Sequence, residues 1–235
     1  MRLLRMAAAL QALLACTAAM AQEPAKGGPE RWEPDIRKME EADRKTPPLK
    51  AGVVFAGSST IVMSKPERWF PELKAANRGF GGSQIVDSTL YADRIILPLE
   101  PSLIVFHAGG NDINAGKEPE QVCADFGAFV RKVHAALPNT RIVFMSLMAT
   151  RSRWKHWAKM AKANALVEEF CRGDNRLWYV DMARYLMTDS GEPRDDLFRT
   201  DKLHLNEEGY RVWTSVLGPV LTRLLWKPAA ARVAG

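Results

Sequence analysis

The chain has 235 residues, of which 47% are hydrophobic and 26% are charged. This is the composition of an ordinary globular protein with one domain or at most two. The formal net charge is only +6 at pH 7, and the basic residues do not form the dense stripe with which proteins bind a phosphate backbone, so we expect no nucleic-acid partner.

The N-terminus has the pattern of an export signal. Two arginines precede an apolar stretch over residues 6–14, and the sequence AMA at 19–21 forms an A-x-A cleavage site. The apolar stretch is too short to span a bilayer. We therefore expect residues 1–21 to be removed and the protein to be periplasmic or secreted. An alternative stays open, because LLAC ending at Cys16 resembles a bacterial lipobox. Lipidation at Cys16 would make the protein a membrane-anchored lipoprotein.

The mature chain begins with a polar segment. Residues 22–31 carry Pro and Gly and predict a flexible tether, and residues 32–235 are expected to form a single domain that opens with a charged helix over 32–43. Apolar runs then alternate with helical patterns. The apolar runs predict strands at VVF (53–55), ANR (76–78, the weakest), LIVF (103–106), IVFM (142–145) and LWYV (177–180). The helical patterns lie at 84–97, 119–137, 154–171 and 206–225.

This alternation indicates the fold class. Continuous apolar strands separated by helices are typical of a parallel sheet with helices on both faces, so we predict one α/β domain. Cys123 and Cys171 both fall in predicted helices. Two cysteines do not make a disulfide framework, and whether they pair is left open. Ligands of such folds bind beyond the carboxyl ends of the strands, so polar residues that follow the apolar runs are the candidates for a site.

Four polar or glycine-rich segments meet this condition. They are GSS at 57–59, GFGG at 79–82, GGND at 109–112 and DKLH at 201–204. A serine becomes a nucleophile only when a base takes its proton and another group orients that base. His204 follows Asp201 by three residues, so one loop could deliver the base and its carboxylate together. A metal at this pair is disfavoured, because the sequence has no His/Cys cluster with metal-ligand spacing.

Acyl transfer also needs donors for the oxygen that becomes negative. A Gly-Gly turn at 81–82 can bring a backbone N–H close to a substrate because no Cβ intervenes. The side chain of Asn111, on the turn at 109–110, can supply a second donor. The N–H of the nucleophile can supply a third.

Taken together, the four segments resemble the SGNH hydrolase superfamily, also called GDSL-like esterases and lipases. The resemblance extends from residue 53 to residue 204 and matches the family's motifs in their order. It implies a flavodoxin-like three-layer α/β/α sandwich with a doubly wound parallel sheet of about five strands. It also implies ester hydrolysis by a serine, without a cofactor or a metal.

The resemblance assigns catalytic roles position by position. The family's G-D-S corresponds to residues 57–59, which makes Ser59 the nucleophile and puts Ser58 where the family usually has Asp. The family's D-x-x-H corresponds to Asp201 and His204. The substitution at Ser58 removes a hydrogen-bond partner beside the nucleophile, so we expect the local geometry there to differ from the family's.

The oxyanion hole is assigned in the same way. The N–H of the nucleophilic serine, the N–H of Gly82 and the side chain of Asn111 are its expected donors, with Gly79 as the less favoured register for the glycine. Gly110 and Asp112 are expected to support the turn that carries Asn111.

Two further features of the sequence lie near the predicted site. His107 ends a strand, where a structural role is favoured and a substrate-facing one is open. Residues 151–162 (RSRWKHWAKMAK) are basic and contain two tryptophans. They could form a rim that attracts an anionic or sugar substrate, although a solvated helix start is favoured. Arg153 and Trp154 follow a strand end and could reach the mouth of the site.

We therefore expect an exported serine carboxylester hydrolase that cleaves small acyl esters through an acyl-enzyme. The partner would be a small-molecule acyl ester or an acetylated sugar, with a membrane involved only after lipidation. A carbohydrate O-deacetylase or an acyltransferase acting on cell-surface glycans is the alternative. A non-catalytic binding module is the least favoured.

Overall fold

The computed structural model describes residues 28–225. The predicted export signal at residues 1–21, with its alternative lipidation site at Cys16, lies outside the described residues, as does most of the predicted tether. Within residues 28–225, no helix is both long enough and apolar enough to cross a membrane.

A single sheet of five parallel strands forms the centre of the fold, in the order β2-β1-β3-β4-β5. The strands are Val53–Gly57 (β1), Ala76–Gly79 (β2), Leu103–His107 (β3), Arg141–Met145 (β4) and Leu177–Val180 (β5). The chain runs from β1 to one side and then returns to β3 on the other side. The strand order therefore reverses between β1 and β3, which is the flavodoxin-like switch point. The predicted doubly wound sheet of about five strands is confirmed.

Helices cover both faces of this sheet. They are Glu33–Lys45 (α1), Ser59–Ser64 (α2), Pro66–Trp69 (α3), Ile85–Ile95 (α4), Gly110–Asn114 (α5), Pro119–Ala136 (α6), Trp157–Arg172 (α7) and Glu207–Leu225 (α8). Val54 and Ala56 of β1 share one hydrophobic cluster with α1, α4, α6 and α7. Val53 and Phe55 share the opposite cluster with α2 and α8. Because side chains alternate along a strand and both faces are covered, β1 reads as a continuous apolar run.

Two differences from the predicted boundaries lie close to functional segments of the chain. The helix expected over 154–171 begins three residues later, because 3₁₀ turns over Arg151–His156 precede it and Arg153 has non-helical φ/ψ of −118° and 19°. The last residues of the predicted tether are ordered, since Pro29–Trp32 forms a 3₁₀ helix and the Tyr91 hydroxyl donates to the Pro29 carbonyl at 2.7 Å.

Candidate active site

The carboxyl end of β1 turns sharply into α2. Gly57 has a φ of +138°, and a Cβ at this position would lie 2.1 Å from the carbonyl oxygen of His107 on β3, so no larger residue fits. The Ser58 N–H donates to that same carbonyl at 3.0 Å. Ser59 is the first residue of α2, and the backbone N–H at this position has no acceptor within its own helix. The turn thus presents both the hydroxyl and the N–H of Ser59 at the switch point.

A continuous chain of hydrogen bonds joins Ser59, His204 and Asp201. The Oγ of Ser59 is 3.0 Å from Nε2 of His204, and Nδ1 of His204 is 2.7 Å from Oδ2 of Asp201. The other oxygen of Asp201 accepts the backbone N–H groups of Leu203 and His204 at 2.9 and 3.0 Å. The bond from the His204 side chain, followed by these backbone bonds, holds the pKa of Asp201 well below its usual range. Asp201 is therefore a carboxylate at neutral pH and fixes the ring of His204.

Asn111 borders the same cavity as Ser59 from the neighbouring strand end. It lies in the short helix α5, after a turn in which Gly109 has a φ of +121°. Its Nδ2 donates to the Ser83 carbonyl at 2.8 Å, and its Oδ1 accepts a hydrogen bond from Nη2 of Arg153 at 2.7 Å. Because an amide nitrogen carries two hydrogens, one N–H of Asn111 is left for another acceptor.

The glycine turn after β2 approaches Ser59 but does not line that cavity. Gly82 has a φ of +77° and is exposed, and a Cβ added at Gly81 would lie 3.9 Å from the Cβ of Ser59. Gly79 has a different reason to be glycine, because a Cβ there would lie 2.6 Å from the backbone nitrogen of Val62 in α2. Of the two registers, Gly82 is the one with an accessible backbone, and its role as an oxyanion donor stays a prediction.

A buried ion cluster lies beneath the Asn111 turn. Asp112 is fully buried and accepts the Ile85 N–H at 3.3 Å, which joins the turn to the start of α4. Nζ of Lys117 lies 2.9 Å from Asp112 and 2.6 Å from Asp125. Burial raises the pKa of Asp112 to about 6, against the opposing charge of Lys117. Burial lowers the pKa of Lys117, and the two carboxylates raise it and prevail. Nothing in the sequence marked Lys117, because only the fold brings it between the two acids.

The cavity beside Ser59 has a volume of about 40 Å³. Met148, Met160 and Leu203 form apolar parts of its wall, and no Asp or Glu of the described chain lines it. Since about 10–15 Å³ of such volume is needed for one water molecule, the cavity has room for only a few non-hydrogen atoms.

Two cavity residues have unusual hydrogen-bonding environments. His107 is buried, its Nδ1 lies 3.1 Å from the Met145 carbonyl oxygen, and burial lowers its pKa to about 4. Its imidazole is therefore neutral at pH 7. The Oγ1 of Thr150 is buried without a hydrogen-bond partner among the described residues, a feature that the sequence does not reveal. Ser58 is also buried and lines the cavity.

Across residues 28–225, no group of three or more His, Cys, Asp or Glu residues could hold a metal ion.

A model of the GDSL-like lipase/acylhydrolase family matches residues 59–212, which is more than half of the chain. This chain belongs to the GDSL-like lipase/acylhydrolase family. The match begins at Ser59 and spans Asn111, Asp201 and His204. No curated protein sequence matches the chain.

Solved structures agree with this GDSL-like fold. A protein from Bacteroides fragilis, predicted to be an acylhydrolase, superposes with a TM-score of 0.70 at 19% identity, over 82% of this chain and 98% of that one. A GDSL-like lipase from Bacteroides thetaiotaomicron superposes with a TM-score of 0.66 at 16% identity, over 84% and 98%. A mutant of an acetyl-xylooligosaccharide esterase from Geobacillus Stearmophilus superposes with a TM-score of 0.59 at 12% identity, over 78% and 99%. At these identities the likeness shows the fold alone.

The basic segment of this GDSL-like chain contributes two residues to the cavity wall, Arg153 and Met160. Arg153 lines the cavity, whereas Arg151 pairs with Glu192 at 2.5 Å on the surface. Trp154 and Trp157 stack on each other, with ring centroids 6.4 Å apart and planes 8° apart. The expectation of a solvated helix start therefore describes most basic side chains of the segment, and Arg153 is the exception.

Proposed function

We propose that this member of the GDSL-like family is a serine carboxylester hydrolase that removes short acyl groups. The contact between Ser59 and His204, at 3.0 Å, carries the proposal. It gives a hydroxyl a base within hydrogen-bond reach, and Asp201 in turn orients that base. A non-catalytic binding module would not need a base and a carboxylate aligned behind a serine hydroxyl.

The proposed reaction has two halves. Asp201 accepts the Nδ1–H of His204, so Nε2 is the unprotonated nitrogen and accepts the Ser59 proton. The Ser59 oxygen attacks the ester carbonyl, and the tetrahedral oxyanion forms. His204 then gives its proton to the departing alcohol, which leaves an acyl group on Ser59. Water attacks this acyl-enzyme with His204 again as the base, and the acid is released as Ser59 recovers its proton.

Hydrogen-bond donors at three strand ends would stabilise the negative charge of the oxyanion. The Ser59 N–H, the remaining N–H of Asn111 and the N–H of Gly82 are the proposed donors. Removing one such donor in a serine hydrolase costs about 10²- to 10³-fold in kcat. Ser58 would contribute through its backbone bond to His107, which an alanine in its place can also make.

The size of the cavity supports the short acyl group. A volume of about 40 Å³ suits an acetyl group, so we expect long acyl chains to be poor substrates. The alcohol part of the ester would extend outward from this space. A carbohydrate O-deacetylase is the second candidate, and the structural likeness to an acetyl-xylooligosaccharide esterase supports it.

A panel of esters tests both candidates. Wild type, Ser59→Ala and Ser58→Ala are assayed with p-nitrophenyl esters from acetate to palmitate and with acetylated xylo-oligosaccharides. We expect acetate to be the best simple ester and Ser59→Ala to lose about 10⁶-fold in kcat, whereas Ser58→Ala keeps a measurable part of the activity. A fluorophosphonate probe should label wild type and Ser58→Ala but not Ser59→Ala. Labelling of Ser59→Ala, or loss of activity confined to Ser58→Ala, would refute the assignment.

We also propose, from the sequence of residues 1–21, that the chain is exported. N-terminal sequencing of the protein from its native cells distinguishes the two routes. A new terminus at Gln22 is expected for simple secretion, and a lipidated Cys16 for the lipoprotein. An intact terminus at Met1 on the mature protein would contradict export.

A further inference from the structure

Arg153 carries a positive charge at the cavity and has no acidic partner in the part of the chain that the structure describes. Three other cations of the basic segment are paired: Arg151 with Glu192, Lys159 with Glu118 and Lys162 with Glu120. No carboxylate within residues 28–225 forms such a pair with Arg153. The Arg153 guanidinium is partly buried, and burial alone lowers its pKa. A partly desolvated cation that lacks a counter-charge reduces stability, so its place at the cavity wall needs another explanation.

Within residues 28–225, the single side-chain hydrogen bond of Arg153 is with Asn111. Its Nη2 donates to Oδ1 of Asn111 at 2.7 Å, while Nδ2 of Asn111 donates to the Ser83 carbonyl at 2.8 Å. The two contacts hold the amide from both ends and define which end carries the N–H groups. The guanidinium also draws electron density toward Oδ1, which makes the N–H groups of Asn111 stronger donors.

The backbone around Arg153 joins two parts of the site. The N–H of Ser152 donates to the Lys202 carbonyl at 3.1 Å, in the loop that carries Asp201 and His204. The non-helical backbone angles of Arg153 interrupt the 3₁₀ turns at this point. The Arg153 side chain is close to α5 as well, because a Cβ added at Gly110 would lie 3.2 Å from Nη1 of Arg153. The segment is thus anchored to both the His204 loop and the Asn111 turn.

We propose that Arg153 is a positioning residue for the oxyanion hole, which acts by orienting and polarising the Asn111 amide. The inference rests on the proposed ester hydrolysis. Arg153 stays protonated throughout and transfers no proton. As negative charge develops on the carbonyl oxygen of the ester, Asn111 donates to it, and the guanidinium behind Asn111 stabilises that charge. The stabilisation is therefore greatest in the transition state. Removal of the Arg153 charge should lower kcat and leave KM nearly unchanged.

A double-mutant cycle tests this coupling. The variants are Arg153→Met, Asn111→Ala and the double variant, assayed with p-nitrophenyl acetate. A charge-assisted hydrogen bond of this kind corresponds to about 10- to 100-fold, so Arg153→Met should lower kcat by that factor with little change in KM. In the Asn111→Ala background the same substitution should cost no more than about 3-fold, because residues that act through one contact are not additive.

Matched variants separate this role from a general structural one. Arg151→Met removes a cation two residues away that is paired on the surface, and its kcat should stay within about 2-fold of wild type. Arg153→Lys keeps the charge and a donor, so it should retain more activity than Arg153→Met. If Arg153→Met does not fold, Arg153→Gln, which keeps a donor and loses the charge, takes its place in the cycle.

Three results would overturn the proposal. The first is a kcat for Arg153→Met equal to that of wild type. The second is an equal loss in both backgrounds, which would mean that Arg153 does not act through Asn111. The third is a loss seen only as a raised KM for an ester that carries a carboxylate, such as p-nitrophenyl succinate, which would make Arg153 a site for anionic substrates. A failure of the proposed ester hydrolysis is distinguishable, because wild type would then hydrolyse none of the esters.

Discussion

Replacing Asp201 by Asn should place the proton of His204 on the wrong nitrogen. In the wild type, one oxygen of Asp201 accepts the backbone N–H groups of Leu203 and His204, and the other faces Nδ1 of His204. An asparagine can keep the two backbone bonds only by turning its NH₂ group toward Nδ1. Nδ1 must then be the acceptor, so Nε2 carries the hydrogen and cannot take the proton of Ser59.

The magnitude follows from these contacts. Flipping the asparagine to restore the correct tautomer would forfeit both backbone bonds. At about 1 kcal/mol each, this favours the wrong tautomer by about 2 kcal/mol, or roughly 30-fold. The variant also lacks the negative charge that stabilises the imidazolium as it forms. Together these effects should lower kcat by about 10³- to 10⁴-fold, the range typical of this substitution in other triads.

The assay compares Asp201→Asn with Asp196→Asn, using p-nitrophenyl acetate at neutral pH. Asp196 lies in the same region of the chain and pairs with Arg194 on the surface, so its variant should stay within about 2-fold of wild type. Asp201 is exposed, with 46% of its side chain accessible, and thermal unfolding should show that Asp201→Asn is folded. A kcat within about 10-fold of wild type would refute the tautomer argument.

Three further predictions concern stability, and urea unfolding checks each. Lys117→Met leaves two buried carboxylates without their cation and should cost about 3–5 kcal/mol, whereas Lys159→Met, which removes an exposed pair, should cost less than about 1 kcal/mol; equal costs would contradict the role of the buried cluster. The pKa of His107 is about 4 in the fold, below its ordinary 6.5, so the unfolded chain binds this proton first as the pH falls. The contribution of His107 to the free energy of unfolding is therefore present in full above pH 6.5. About 3 kcal/mol of it should be lost as the pH falls from 6.5 to 4. The difference between wild type and His107→Gln isolates this loss from the opposite effect of Asp112, and a difference independent of pH would refute it. Gly57→Ala forces a Cβ against a backbone carbonyl at positive φ and should cost at least about 3 kcal/mol; a cost below about 1 kcal/mol would be inconsistent with this turn.

The parts of the fold that the sequence predicts are those decided by local patterns. The central strands could be recognised because they are buried on both faces and therefore read as apolar runs, as residues 53–57 do, whereas the edge strand β2 is the weakest prediction because it contains Asn77 and Arg78. The glycines and polar residues after the strands could be recognised as a site because the ends of parallel strands meet at one edge of the sheet. Gly57 itself is required by its close approach to His107.

The parts that the sequence does not predict depend on contacts between distant segments. The role of Lys117 needs Asp112 and Asp125 to be brought to it. The contact of Arg153 with Asn111 joins residues 42 positions apart in the chain. It also depends on a backbone kink at Arg153, which the residue types of the segment do not predict. The volume of the cavity depends on side chains from several loops, so acyl-chain preference could not be derived from spacing.

Two histidines border the same cavity, and their surroundings suit them to different tasks. His107 ends β3 and His204 lies in the loop before α8, and both are near the switch point. Their positions along the chain therefore do not show which of them is the base. Among the described residues, His107 has a carbonyl oxygen as its partner and no carboxylate, and burial keeps its ring neutral. His204 has the carboxylate of Asp201 on one nitrogen and the hydroxyl of Ser59 on the other. A base that must become positive during the reaction needs such a counter-charge, and a buried neutral ring cannot meet that need. The choice between the two histidines therefore follows from the carboxylate rather than from their distance to the cavity.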